Sequence, residues 1–162
     1  MHLCTRTGKD IERIYNQYVD MIYRVCFMYL KNKQDTLDAV QTTFIKFMEY
    51  KGEFRNEEHI KAWLLVTSSN ICKNNLKHWW HHKVTFDEEI EGSVEFDSNE
   101  LLCFVLSLPK KYKIILYLYY YEGYKTKEIA SMLKMNESTI RSQLLKARML
   151  LKQKLGEDYA QK

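Results

Sequence analysis

Between Gly123 and Leu155 the chain reads GYKTKEIASMLKMNESTIRSQLLKARMLLKQKL, two helical patterns with barely room for a turn between them. Thr126 can cap the first, with Glu128 in the first turn, where the helix dipole favours a negative charge. Ile129, Ala130 and Leu133 supply its buried side. Lys134 and Met135 make the turn, and Asn136 is a good cap for a second helix with Glu137 in its first turn. On that helix Ile140, Leu144, Ala147, Leu151 and Leu155 recur at offsets of four, seven, eleven and fifteen. At about 100° per residue they form one narrow apolar stripe. The opposite face carries Ser138, Ser142, Leu145, Lys146 and Met149, with Arg141 at its flank: hydroxyls, cations and a few apolar groups fit to meet a thymine methyl. Most lone amphipathic helices only pack on a core with the charged face in water. Two capped helices, a three-residue turn and a basic second helix together point to a helix laid in the DNA major groove. The turn lacks glycine, so Lys134 is expected to take a backbone conformation unfavourable for a side chain.

One proline and five glycines leave little room for the many turns of an all-β fold. The fold class expected is all-α, with two small helical domains joined by a flexible acidic linker. Charge marks the boundaries. Residues 1–83 carry 13 basic and 9 acidic side chains, and residues 101–162 carry 12 basic and 5 acidic. Residues 84–100 carry seven acids (Asp87, Glu88, Glu89, Glu91, Glu95, Asp97 and Glu100) and no base. Two basic modules flanking an anionic strap is the reading, the strap too self-repelling to pack. Met1–Asp10 has no apolar run of the kind a signal peptide needs, and the longest apolar segment, Ile114–Tyr121, is too short to span a bilayer. A cytoplasmic protein is expected.

In the N-terminal module Ile11, Ile14, Tyr15, Tyr18, Ile22, Val25, Cys26 and Tyr29 repeat at helical spacing, predicting a helix from about Asp10 to Leu30. After a polar break at Asn32–Asp35, a second helix runs to about Tyr50, with Leu37, Val40, Phe44 and Phe47 or Met48 as its buried stripe. Lys51–Asn56 reads as a loop. A third helix begins near Glu57, with Ile60, Trp63, Leu64, Thr67, Ile71 and Asn74 inward, and runs toward Trp79.

These segments resemble the sigma-70 family of bacterial RNA polymerase sigma factors, in its extracytoplasmic-function (ECF) subgroup. Leu108-Pro109, Tyr121-Glu122-Gly123, Lys127-Glu128-Ile129-Ala130, Ser138-Thr139-Ile140-Arg141-Ser142 and Lys146-Ala147-Arg148 are similar to its region 4. Asp38-Ala39-Val40-Gln41, Thr43-Phe44-Ile45-Lys46 and Ile60-Lys61-Ala62-Trp63-Leu64 with Asn70 are similar to its region 2. The resemblance implies a non-enzyme that binds core polymerase and directs initiation by reading −10 and −35 promoter elements. Residues 1–83 would dock on the beta-prime clamp helices through Asp38, Gln41, Thr42, Ile45 and Lys46. The same module would melt and read the −10 element through Phe54, Arg55, Asn56, Lys61, Asn70, Lys73, Asn74 and Lys77. Residues 101–162 would bind the beta flap and read the −35 element through Ser138, Thr139, Arg141, Ser142, Leu145, Lys146 and Arg148. Linkers of the family pass toward the RNA exit path, so the segment reads either as an anionic strap in a basic channel, where replacing the seven acids with amides should alter early transcript release, or as a plain solvated spacer. Many members of the subgroup are restrained by an anti-sigma factor, though no residue here identifies one. The chain departs from the family pattern at Asn74 and Lys77, where an acid and an arginine are usual. A lysine keeps the charge but lacks the bidentate fork.

Melting without ATP requires capture of bases that have left the stack, and aromatic faces beside cations suit that task. Trp63 belongs on the core stripe; Trp79 and Trp80, adjacent, cannot both point inward, so at least one is expected to be exposed. His78, His81 and His82 have no cysteine or carboxylate at supporting spacing, and solvated or phosphate-facing imidazoles outweigh a metal site. No cofactor or metal is expected. Cys4, Cys26, Cys72 and Cys103 lack CxxC spacing and read as reduced thiols. No glycine-rich phosphate loop, nucleophile–base pair or HExxH motif is present. Two rival readings stand beside the sigma factor. One is a helix-turn-helix regulator acting without core polymerase, which leaves residues 10–80 without a purpose. The other is an interaction protein whose basic helix binds an acidic partner.

Overall fold

The computed structural model describes the backbone of residues 6–81 and 104–160, and the side chains of 6–78 and 104–156. Two compact units result, Met1–Ser93 and Val94–Lys162, and all regular structure among the described residues is helical.

The first unit holds α1 (Gly8–Leu30), α2 (Lys33–Glu49) and α3 (Glu57–His81), each packed on the other two. α1 starts two residues earlier than the periodicity suggests, because Thr7 and Asp10 form a capping box. The Thr7 N–H donates to Asp10 Oδ2 at 3.0 Å and the Asp10 N–H to Thr7 Oγ1 at 3.3 Å. The Thr7 hydroxyl also donates to Asp10 Oδ2 at 2.7 Å, and this bond, followed by that from the Thr7 N–H, holds the Asp10 carboxyl below the usual range. The chain leaves α1 through Lys31 in the left-handed conformation (φ 59°) and re-enters at Asn32, whose Oδ1 accepts from the Asp35 N–H at 2.9 Å. Ile14, Ile22, Val25 and Cys26 meet Ala39, Val40, Phe44 and Phe47 of α2 and Ile60, Leu64, Leu65, Ile71 and Cys72 of α3 in the core. Cys26 and Cys72 are buried free thiols. Their mutual hydrogen bond, then burial, pushes the Cys26 thiol upward, so it stays neutral. Cys4, Cys103 and the side chains of Trp79, Trp80, His81 and His82 lie outside the described residues.

The structure corrects the expected stripes in detail. Leu37 is 43% exposed, while Thr36 and Thr43 are fully buried; of the alternatives Phe47 and Met48, Phe47 is buried and Met48 is 50% exposed. Each threonine hydroxyl donates to a carbonyl one turn back, Thr36 to Asn32 O at 2.6 Å and Thr43 to Ala39 O at 2.7 Å. With its polar group satisfied, a threonine can occupy a tight interface that leucine would overfill. Tyr15 is likewise largely exposed, its ring laid against Phe44 at 4.8 Å between centroids. Asn74 faces solvent rather than the core.

The second unit opens with a single turn at 104–106. Pro109 then precedes α4 (Lys110–Leu116), its φ of −53° suited to a helix start. α4 runs on without a break into a π-helical turn, Tyr117–Tyr121. That turn closes at Gly123, whose φ of +76° a side chain would resist. There the Tyr124 N–H donates to Leu118 O at 2.9 Å, and the Tyr117 hydroxyl to Glu122 Oε1 at 2.6 Å. α5 (Thr126–Leu133) and α6 (Glu137–Ala160) follow, and both α4 and α5 pack on α6.

Candidate nucleic-acid interface

The turn between α5 and α6 sets how the second helix is presented. Lys134 takes the left-handed conformation (φ 54°, ψ 48°), as its position in a glycine-less turn requires. The Met135 N–H donates back to Ala130 O at 2.9 Å, and Asn136 starts α6 by accepting from the Ile140 N–H at 3.1 Å. The cap of α5 sits one residue before Thr126, because Glu128 reaches back to the Lys125 N–H at 2.7 Å. Thr126 is thereby released to donate from its hydroxyl to Glu137 Oε1 at 3.1 Å, bonding the two helix starts together. Ile129, Ala130 and Leu133 are buried against Ile140, Leu144 and Ala147. Leu151 and Leu155 are only half-buried, since α6 has 24 residues and α4 and α5 have seven and eight.

With that stripe inward, Ser138, Ser142, Leu145 and Met149 lie within about 60° of one another on the outer side of α6. Leu145 is 58% exposed and Met149 63%. Lys146 and half-buried Thr139 border this face on one side, exposed Arg141 and Arg148 on the other. Arg148 is not free-standing: its Nε donates to the Tyr120 hydroxyl, and its guanidinium lies 5.4 Å and 5.5 Å from the Tyr119 and Tyr120 ring centroids. The π turn therefore braces the flank of α6, a contact 28 residues apart in sequence that helical periodicity does not register.

In the first unit the residues expected to meet the polymerase (Asp38, Gln41, Thr42, Ile45 and Lys46) are all exposed along one side of α2. Leu37, assigned inward by its apolarity, and Met48, the alternative to Phe47, open onto the same side. With Ile45, 40% exposed, they surround Gln41 with apolar surface.

The candidates for the −10 strand divide. Asn70, Lys73, Asn74 and Lys77 fall within about 100° on α3, and Trp63 shares their side. Asn74 and Lys77 are exposed, Asn70 and Lys73 half-buried. Lys61 lies about 120° or more around the helix from all four, so the structure does not bring it to that face. Phe54 is a correction. It is buried, packing on Phe47 at 5.7 Å, Tyr50 at 5.2 Å, His59 at 5.2 Å and Trp63 at 5.8 Å between centroids. An aromatic in a seven-residue loop beside four other rings gains more from burial than from water, so its ring is not offered to a base. Trp63 is half-buried at the edge of the same cluster. Arg55 and Asn56 are exposed on the loop that Phe54 anchors. Asn56 Oδ1 accepts from the His59 N–H at 2.9 Å as the cap of α3, and the Arg55 N–H donates to His59 Nδ1 at 3.2 Å. Among the described residues no three His, Cys, Asp or Glu are gathered as metal ligands would be, and no helix is long and apolar enough to cross a membrane.

Comparison with known proteins joins these surfaces. The family described as Sigma-70 region 2 matches residues 14–81, and that described as Sigma-70, region 4 matches residues 98–151. The chain is 30% identical over 141 residues to the RNA polymerase sigma factor SigV of Bacillus subtilis (strain 168), covering 84% of this chain and 85% of SigV. It is 27% identical over 154 residues to the ECF RNA polymerase sigma factor SigM of the same organism, covering 88% of this chain and 93% of SigM. Among solved structures, the sigma factor RpoE in complex with the anti-sigma factor NepR from Bartonella quintana superposes with a TM-score of 0.67 at 17% identity. That superposition covers 91% of this chain and 98% of RpoE, a likeness of fold.

Proposed function

The chain belongs to the sigma-70 family of RNA polymerase sigma factors, in its ECF subgroup, and from that premise we propose how its parts divide promoter recognition. As a sigma factor it supplies no chemistry of its own; bond formation belongs to the core enzyme it directs. The exposed side of α2, with Asp38, Gln41, Thr42, Ile45 and Lys46 joined by Leu37 and Met48, docks on the beta-prime clamp helices. Arg55 and Asn56 on the loop, with Asn70, Lys73, Asn74 and Lys77 on α3, receive the −10 strand. Cations there meet phosphates, and the amides offer donors and acceptors to unpaired bases. Ser138, Ser142, Leu145, Arg141 and Lys146 of α6 enter the major groove at the −35 element, with Arg148 contacting the backbone alongside the Tyr120 hydroxyl. The unit carrying α6 also meets the beta flap, and the acidic segment 84–100 connects the two reading heads. Cytoplasm is the site of action. An anti-sigma protein is a further partner in this reading; the solved relative RpoE was crystallised with one.

The observation that carries the proposal is the co-occurrence, on one chain and in the family's order, of a region 2 match and a region 4 match that each bear an exposed face of the required chemistry. A regulator acting without polymerase needs only the second. Run-off transcription with purified core polymerase on candidate promoters tests it. Transcripts that require this protein are expected; duplex binding without core and no transcript would refute it.

A further inference from the structure

The loop between α2 and α3 is short, carries Gly52, and has to present Arg55 and Asn56 in one shape. Its fixed point comes from a residue far away in sequence. Arg6, just before the Thr7 cap of α1, lays its guanidinium on three rings of this region, 4.5 Å from the Phe47 centroid, 4.7 Å from Phe54 and 5.6 Å from Tyr50. The same group donates from Nη1 to the Phe47 carbonyl and from Nη2 to the Gly52 carbonyl at 3.1 Å. Phe47 lies in the last turn of α2, where carbonyls lack helical partners and the dipole favours a cation. Gly52 is in the loop itself. One planar fork therefore ties a helix end to the loop while three aromatic faces hold it in place. Gly52 makes room for this packing: a Cβ there would sit 2.3 Å from the Tyr50 hydroxyl and 2.4 Å from its ring. Arg6 Nε, buried among these groups, has no hydrogen-bond partner among the described residues. A buried donor left unmade costs stability, so the arrangement yields a defined loop shape at some expense in stability.

We propose that Arg6 is a positioning residue for −10 recognition, clamping the Tyr50–Asn56 loop in the conformation that meets the unstacked strand. This rests on the reading that the loop contacts the −10 strand. A loop that must be ordered on binding weakens the interaction by the fraction of time it spends ordered, and Arg6 raises that fraction in advance.

The test uses holoenzyme reconstituted with core polymerase and a promoter that the wild type transcribes. The probes are the single-stranded non-template −10 oligonucleotide of that promoter, permanganate reactivity of its −10 thymines, core affinity, and amide exchange across the chain. Arg6→Ala should weaken oligonucleotide binding about tenfold, the scale of losing a charge-assisted hydrogen bond. It should also reduce permanganate reactivity and raise exchange over residues 50–56, leaving core affinity and the exchange of α1 unchanged. Arg6→Lys, which keeps the charge without the fork, should behave nearly as Arg6→Ala; this milder variant serves if the alanine variant does not fold. Undiminished oligonucleotide binding overturns the proposal. So does a loss matched by weaker core binding and uniformly raised exchange, which would make Arg6 a structural residue only. Arg55→Ala and Asn56→Ala are run alongside. If both leave oligonucleotide binding intact in the wild-type Arg6 background, the loop reading itself fails, an outcome seen independently of any Arg6 variant.

Discussion

The two units present their working surfaces in opposite ways. In the first, three long helices share one core, and the surfaces left over are a side of α2, a side of α3 and the loop between them. In the second, one long helix supplies both the core stripe and the proposed reading face, braced by helices of seven and eight residues and a π turn. A core defect in the first unit therefore tilts several surfaces at once, whereas the second depends on how a single helix is seated. The polar ties follow suit. Unit one is cross-linked between distant helices: Arg13 pairs with Glu57 at 2.6 Å, and the Tyr18 hydroxyl donates to the same carboxylate at 3.1 Å. Ties in unit two run to α6 at several points: Thr126 to Glu137 at its start, Tyr120 to Arg148 on its flank, and Ser107 to Lys154 further along.

The sharpest way to break this comparison is a cavity in each core. Leu64 and Ile140 are both fully buried, and truncating either to alanine should cost about 2–5 kcal/mol. Leu64→Ala should weaken core polymerase binding and −10 strand capture together while −35 duplex binding persists. Ile140→Ala should do the reverse. Differential scanning calorimetry with the three binding assays checks this, and loss of all functions from either substitution would show that the units do not act separately.

A smaller effect separates base reading from charge within unit two. Arg141→Ala should cost about 1–3 kcal/mol of promoter affinity, concentrated at one position of the −35 element, if the guanidinium meets a base edge. Lys146→Ala at the other margin should weaken binding evenly across sequences and reduce the salt dependence by about one phosphate's worth. Equal salt slopes for both variants would make Arg141 a backbone contact too.

Alkaline titration probes unit one by another property. Tyr18 is pushed up to about 12 by burial and then by its bond to Glu57, and Tyr29 to about 12 chiefly by burial. Both lie in unit one. The unfolded chain releases these protons near pH 10 while the folded bundle holds them, so this stability is complete below pH 10 and is lost as pH rises toward 12. Chemical denaturation at pH 9 and pH 11 should show unit one weakening, and Tyr29→Phe should remove part of the difference. A bundle equally stable at both values would contradict it.

How much of this was legible in the sequence depended on the distance over which each cause acts. The helix pair of unit two was readable because its determinants are local: a stripe at helical spacing, an acid in each first turn, Asn136 at the second start. The cap of α5 slipped by one residue because Glu128 reaches a backbone N–H, which leaves no mark on the identity of the cap residue. On α2 the apolar count chose Leu37 over Thr36, since no pattern shows that a threonine will satisfy its hydroxyl one turn back. Phe54 was misread as a base contact because the rings that bury it belong to three different elements. Arg6 was invisible for the same reason, lying 41 and 46 residues from the carbonyls it holds. The run Tyr117–Tyr121 read only as an apolar segment; its tie to α6 runs through Arg148, 28 residues away from Tyr120, and leaves no periodic mark.

The smallest test asks whether the two units carry the same kind of local strain. Lys31 after α1 and Lys134 in the α5–α6 turn are the two non-glycine positive-φ residues among those described, at 59° and 54°. Each holds a Cβ in a conformation that glycine adopts without cost. Lys31→Gly and Lys134→Gly should each stabilise their own unit by up to about 1 kcal/mol, less what glycine loses in unfolded-chain entropy. The functional consequences should differ. Lys31 stands at a helix–helix connection and is not itself among the proposed DNA or polymerase contacts, so its substitution should change the melting of unit one and leave transcription alone. Lys134 fixes the angle at which α6 is presented, and glycine widens the angles that turn can reach. A variant more stable to heat yet weaker at the −35 element would show that the strained lysine holds the reading helix in register; unchanged −35 affinity would show that Thr126–Glu137 and the buried stripe suffice.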